Sequence, residues 1–254
     1  LTNAVALNAA GFNLGRLVGP SLAAVSLAAF GMGASFLIAA VANAGLPIAL
    51  LGIHVEPRRS SPAARGPFRQ LAEGVAYVRG HRRTRTLMIL LGITVLCLWT
   101  YQTQLVAYAK DLLSLDDKGY ALLMSVPGLG AIVGALWVAG RTEGRSRRAL
   151  VFGVIAVGAV AVTALGLAPR LAVAIPALFA AGLCQLAFMV SGNAMIQESV
   201  PDALRGRVMG LGIFVFGACF PMGSLLVGFV AQEVSIPTAY VGGAALSFVL
   251  SAWV

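Results

Sequence analysis

Gly11-Phe12-Asn13-Leu14-Gly15-Arg16-Leu17-Val18-Gly19-Pro20 lies in the middle of an apolar run from about Ala4 to Ala29. The run is long enough to cross a bilayer as a helix. Gly11, Gly15 and Gly19 recur at four-residue spacing, which places them on one side of such a helix. Pro20 follows the last of them, and Arg16 falls at membrane depth. A glycine row, a helix breaker and a cation are each costly in a spanning helix. Together they predict a moving, solute-facing helix rather than a passive anchor.

The rest of the chain extends this reading. Hydrophobic residues make up 59% of the 254 positions and charged residues only 11%, with a mean hydropathy of +0.90. A soluble domain carries about 25% charged residues. The composition predicts an all-α, polytopic membrane protein. Its net charge of +9 does not indicate nucleic-acid binding, because the arginines sit in short loops without interleaved aromatics. Cys97, Cys184 and Cys219 all fall in apolar spans and form no C-x-x-C pair, so they read as small buried hydrophobes. The first run lacks a charged leader and a cleavage site, and is not a signal peptide. The start at Leu1 and the stop at Val254 inside an apolar run point to an incomplete protein.

Apolar runs predict eight spanning helices, at about 4–29, 33–54, 86–109, 119–140, 149–168, 171–196, 207–231 and 236–254. The long polar segment 55–85 carries eight arginines. Its first half reads as a flexible linker. Its second half puts Phe68, Leu71, Val75 and Val78 on one helical face, the pattern of an amphipathic helix on the membrane surface. Alternate loops collect this segment, the four arginines of 141–148, and Arg205 with Arg207 on one side. That side is expected to be cytoplasmic.

The chain also repeats itself. Shifted by 204 positions, Asn3-Ala4-Val5-Ala6-Leu7 lies on Arg207-Val208-Met209-Gly210-Leu211. Phe12 then falls on Phe216, Gly19 on Gly223 and Phe36 on Tyr240. The first two helices therefore resemble the last two, as in transporters built from two similar halves. With six helices per half, the whole protein has twelve. Residues 1–54 would close the N-terminal bundle, 55–85 would link the halves, and 86–254 would form the C-terminal bundle with its last helix truncated.

Several polar residues are candidates for a solute path. Arg16 is either a structural partner for carbonyls or an acid on a neighbouring helix, or a site lining the path, with Asn13 on a similar face. Tyr101, Gln102 and Gln104 follow Trp99 in the third helix, where an interfacial aromatic belt is the plainer alternative. Gln185 and Phe188 lie in the sixth helix, Gln185 being the most central. Gly128, Gly130 and Gly134 lack the strand and spacing of a dinucleotide loop and read as a helix-packing motif. His54 and His81 border the basic segment and read as solvated loop positions. No nucleophile–base set, metal-ligand cluster or paired carboxylates occur at membrane depth, so neither catalysis nor a cofactor or metal is expected.

These residues resemble the major facilitator superfamily of secondary transporters. Gly15-x-x-x-Gly19-Pro20-x-x-Ala23-Ala24 is similar to the fifth-helix motif of proton-coupled drug exporters, with alanines in place of a glycine pair. Asn8 through Pro20, and Gln197 through Met209 with Pro201, Arg205, Gly206 and Arg207, resemble the enterobactin-exporter-like and drug-efflux branch. Gly144-Arg145 match the late Gly-Arg of the superfamily's cytoplasmic loop motif. Arg141 and Trp137 replace its Asp and early Gly. The resemblance implies proton-driven export of a small, partly apolar solute, drug or siderophore-like, by alternating access. It implies a monomer in the plasma (inner) membrane. An importer on the same fold, and a non-transporting sensor or scaffold, are the alternatives.

Overall fold

The computed structural model describes residues 26, 30, 33–45, 47, 67–139 and 147–254. The chain forms two units, Leu1–Pro67 and Phe68–Val254. In the first unit, Gly33–Gly45 is an apolar helix, α1. Its Asn43 Nδ2 donates to the Ala39 carbonyl at 2.8 Å, and Ser26 Oγ donates to Ser35 Oγ at 2.9 Å. The helix expected over 4–29, with Gly11, Asn13, Gly15, Arg16, Gly19 and Pro20, lies outside the described residues, as does most of 46–54.

The second unit opens at Phe68, within α2, Pro67–Gly80. Six helices long and apolar enough to cross a membrane follow: α3, Arg82–Leu112; α4, Asp117–Ala139; α5, Arg147–Leu167; α6, Leu171–Ser199; α7, Asp202–Glu233; and α8, Ile236–Trp253. They match the last six expected spans, so the chain is a polytopic membrane protein. Most overrun the apolar windows at their ends. α3 has 31 residues, about 46 Å of helix at 1.5 Å per residue, against about 30 Å of hydrocarbon. The surplus lets Arg82, Arg83 and Arg85 belong to the helix rather than to a linker.

Where the helices touch, small residues let them approach. Gly130 and Gly134 on α4 abut the carbonyls of Phe179 and Leu183 on α6, and Gly182 abuts the Pro127 carbonyl in return. A Cβ at these glycines would lie 2.0, 2.3 and 2.0 Å from those oxygens. Close backbone contact of this kind replaces the hydrophobic drive that lipid surroundings remove. Gly128 takes no part, since a Cβ there would meet nothing within 4 Å. The core joins α3, α4, α5 and α6 through Leu90, Leu123, Leu165 and Leu178, all 1% exposed or less. The outer faces stay apolar, with Ile213, Leu225 and Phe229 of α7 widely exposed, as suits contact with hydrocarbon.

α2 is not simply laid on a membrane surface, as its amphipathic pattern suggests. It docks on the turn between α6 and α7. Glu73 pairs with Arg207 on α7 and with Arg69 one turn back at 3.7 Å. Gly74 lies against the Arg207 backbone. Tyr77 stacks on His81 with ring centroids 3.8 Å apart, and its hydroxyl donates to the Ser199 carbonyl at 2.9 Å. Glu73 is the single acid of α2, and losing it removes the carboxylate that pairs with Arg207. Glu73→Gln is therefore expected to raise amide exchange in α2 about fivefold, corresponding to about 1 kcal/mol for a partly buried pair. Hydrogen–deuterium exchange reads this, with the exchange of α5 unchanged.

Candidate functional site

The site is built on a break in α3. The helix widens to a π turn over Thr94–Leu98, tightens to 3₁₀ over Trp99–Gln104, makes one α turn at Leu105–Ala107, and widens again at Tyr108–Leu112. The local sequence favours this. Thr94 Oγ1 donates to the Leu90 carbonyl at 2.6 Å, and Thr103 Oγ1 to the Thr100 carbonyl at 2.7 Å. Such back-bonding bends helices, and the aromatic and β-branched residues between are weak helix formers. π bulges inside membrane helices often mark functional positions.

Neighbouring helices take up the displaced backbone. Gly223 on α7 lies against the Leu96 carbonyl, and Gly243 on α8 against that of Cys97; a Cβ would come within 2.1 and 2.5 Å of them. Tyr240 Oη, from α8, donates to the Tyr101 carbonyl at 3.0 Å. Ordinary side chains in place of these residues would push α3 out of its seat.

The break turns polar side chains inward. Gln102 Nε2 donates to Gln185 Oε1 on α6 at 2.9 Å and lies 3.4 Å from Tyr101 Oη. Gln185 is only 6% exposed and Tyr101 2%. Trp99 meets Phe188 edge to face at 5.7 Å and Phe216 of α7 at 6.2 Å. Trp99, Tyr101, Gln185 and Phe188 border a space of about 10 Å³, on the order of one water, whose remaining wall is largely apolar, with Val154, Ile155 and Val162 of α5. That space is too small for a solute in this conformation. The amides and rings of the cluster carry no formal charge, so it can hydrogen-bond and stack on a solute but not neutralise an ion.

Of the residues expected on the solute path, Tyr101, Gln102, Gln185 and Phe188 come together here. Gln104 is half-buried and turns toward α7, where a Cβ on Gly228 would lie 3.2 Å from its Nε2. Trp99 packs inside rather than at an interfacial belt, at 3% exposure. Tyr240, Gly223 and Gly243 were not among the expected residues. Gly223 and Tyr240 carried a usable signal as the repeat partners of Gly19 and Phe36, whereas nothing marks Gly243.

The string from Gln197 to Met209 shapes the α6–α7 turn. Pro201 starts it with extended ψ, and its carbonyl accepts the amides of Leu204 and Arg205. Arg205 pairs with Asp202 at 2.6 Å and donates to the Gln197 carbonyl at 3.2 Å. Arg207 holds α2, and Gly206 has open space around it. Gly144 and Arg145 lie outside the described residues.

The family profile described as "Transmembrane secretion effector" matches residues 1–254. The chain is 31% identical over 228 residues to the "Multidrug efflux pump Tap" of Mycobacterium tuberculosis (strain ATCC 25618 / H37Rv), covering 85% of this chain and 52% of the relative. It is 26% identical over 240 residues to the pump of the same name in Mycolicibacterium fortuitum, covering 90% and 56%. The chain thus spans about half the length of the curated relatives it matches. A solved structure titled nucleoside transporter NupG (D323A mutant) shares the fold at a TM-score of 0.66 and 16% identity, covering 95% of this chain and 64% of that one.

Proposed function

This chain belongs to the transmembrane secretion effector family of the major facilitator superfamily, transporters rather than enzymes, and from that premise we propose that the whole protein exports a small, partly apolar solute by alternating access, driven by protons. The Gln102–Gln185 bond beside Trp99 and Phe188 carries the reading. A neutral wall of amides and aromatic rings suits a drug-like or siderophore-like solute better than a charged metabolite. The efflux-pump names of the relatives support the outward direction.

In this proposal residues 1–54 complete one bundle, 55–85 link the bundles, and 86–254 form the second. The arginine-rich loops face the cytoplasm, the bilayer is the inner membrane, and a single copy suffices. Arg16 and Asn13 contribute the polar wall of the other half. Carboxylates of the six described spans lie only near helix ends, at Asp111, Asp117, Glu198, Asp202 and Glu233. Either the proton-carrying acid lies outside these six spans, or coupling works without a central carboxylate in them.

Cells making the full-length protein should accumulate less of one or more members of a broad drug and siderophore panel than cells without it. Equal accumulation of every member, with the protein present in the membrane, contradicts the proposal. The repeat gives a sharper case. Gly223 abuts a carbonyl on α3, and its counterpart Gly19 is proposed to seat a neighbouring helix in the same way. Gly19→Leu is expected to lower efflux at least tenfold; wild-type efflux would remove Gly19 from any contact face.

A further inference from the structure

The oxygen of Tyr240 stands out because the residue's counterpart in the repeat lacks it. Shifted by 204 positions, Tyr240 falls on Phe36, the same ring without a hydroxyl. Tyr240 is 1% exposed. Its ring meets Tyr101 edge to face at 6.4 Å and Tyr108 at 5.6 Å, and a Cβ on Gly166 of α5 would lie 3.4 Å from its Cβ. A phenylalanine would fill that seat equally well. A buried hydroxyl is costly unless it is bonded, so the bond and not the packing accounts for the oxygen.

That bond replaces one that α3 gives up. In a regular α-helix the Leu105 amide would donate to the Tyr101 carbonyl, four residues back. Here it donates to the Gln102 carbonyl, the 3₁₀ pattern, and Tyr240 Oη donates to the Tyr101 carbonyl at 3.0 Å instead. The change of pitch acts directly on the site. Each residue turns a 3₁₀ helix by about 120° and an α-helix by about 100°. Over the three steps from Trp99 to Gln102 the difference is about 60°. It sets Gln102 against Gln185 at 2.9 Å while Trp99 stays on Phe188. We propose that Tyr240 is a positioning residue for solute handling: its hydroxyl holds the 3₁₀ turn that aims Gln102 at Gln185. Solute handling here rests on the transport reading of the amide cluster, whereas the hold on the turn does not.

The test uses the full-length protein with Tyr240→Phe, which keeps the ring. Hydrogen–deuterium exchange needs no solute. The variant should exchange about two- to twelvefold faster across residues 99–107, the equivalent of one net hydrogen bond, with α4 unchanged. Binding to the purified protein is then measured for paired solutes of the drug and siderophore panel that differ only in carrying or lacking a hydrogen-bonding group. Affinity for the hydrogen-bonding member should fall by the same factor while that for its apolar twin holds. General loosening of the helices would not produce this split. Replacement of Tyr240 by 4-aminophenylalanine keeps a donor in place and should restore both readouts. Tyr108→Phe makes the same chemical change on a neighbouring buried ring whose hydroxyl has no partner among the described residues, and should alter neither readout. Unchanged exchange in Tyr240→Phe would overturn the hold on the turn. Faster exchange with equal loss of both solutes, or with no loss, would make the hydroxyl a structural bond only. No binding of any panel member by the wild-type protein would overturn the transport reading and the solute half of the proposal, while exchange would still show whether the hydroxyl holds the turn.

Discussion

Gly182→Ala is expected to remove most of the folded protein from the membrane, while Gly128→Ala leaves it intact. Gly182 faces α4, whereas Gly128, on α4, points away from α6. A Cβ on Gly182 would lie 2.0 Å from the Pro127 carbonyl oxygen and 2.6 Å from its carbon, whereas one on Gly128 would meet nothing within 4 Å. Overpacking costs about 1–3 kcal/mol when side chains can rearrange. Here the obstacle is backbone, so α4 and α6 must separate along their length. That also opens the contacts of Gly130 and Gly134. The cost is expected to exceed about 3 kcal/mol, a large part of a typical stability. Gly128→Ala should be neutral or stabilising by up to about 1 kcal/mol, from the reduced freedom of the unfolded chain. Fluorescence-detected size exclusion and thermal melting of both variants check this. Equal yields and melting temperatures would mean that the α4–α6 contact is not set by these glycines.

The second large effect concerns the amide pair. Gln185→Leu removes the shorter of the two hydrogen bonds of the half-buried Gln102 Nε2 and leaves it only the long contact to Tyr101 Oη. A polar group that loses its partner costs about 1–3 kcal/mol, or roughly five- to 150-fold in an equilibrium. Transport by the full-length protein is expected to fall by that factor. Stability alone could produce such a loss, and the double variant Gln102→Leu/Gln185→Leu separates the causes. Replacing both partners by apolar groups of similar shape is close to neutral for folding. The double variant should therefore regain the melting temperature lost in the single one while transport stays low. Recovery of both would make the pair a structural bond with no part in handling solute.

The sequence reveals the spans far better than it reveals the contacts between them. Hydropathy over about 20 residues is a local property, and it places the middle of each described span. Span ends are less visible, because helices outlast the hydrocarbon and carry charge into the interface; α3 begins at Arg82 although its apolar run starts near Thr86. Gly130-x-x-x-Gly134 announces a packing face, but neighbouring Gly128 points elsewhere, since two residues turn a helix by about 200°. The partner glycine, Gly182, has its nearest glycine on α6 ten positions on, at Gly192, and carries no motif.

The break in α3 is the clearest loss. Its signals are Thr94, Thr100 and Thr103 around Trp99 and Tyr101, each common in regular membrane helices, and only the seats offered by Gly223 and Gly243 turn them into a π and 3₁₀ segment. Gln102 and Gln185 stand out as amides in apolar runs, yet their pairing spans 83 positions and follows from the fold alone. The docking of α2 likewise depends on Glu73 finding Arg207 across 134 positions, which an amphipathic pattern does not encode.

The most direct test of the transport proposal is flux in a defined system. Full-length protein is reconstituted into sealed vesicles, oriented by protease access to the arginine-rich loops, with a solute from the efflux panel on the arginine-rich side. Imposing a proton gradient toward that side should drive solute across to the other side against its own gradient. A protonophore should abolish the movement, and Gln185→Leu should slow it at least about fivefold. Solute movement that ignores the proton gradient, or that runs toward the arginine-rich side under it, would contradict proton-driven export.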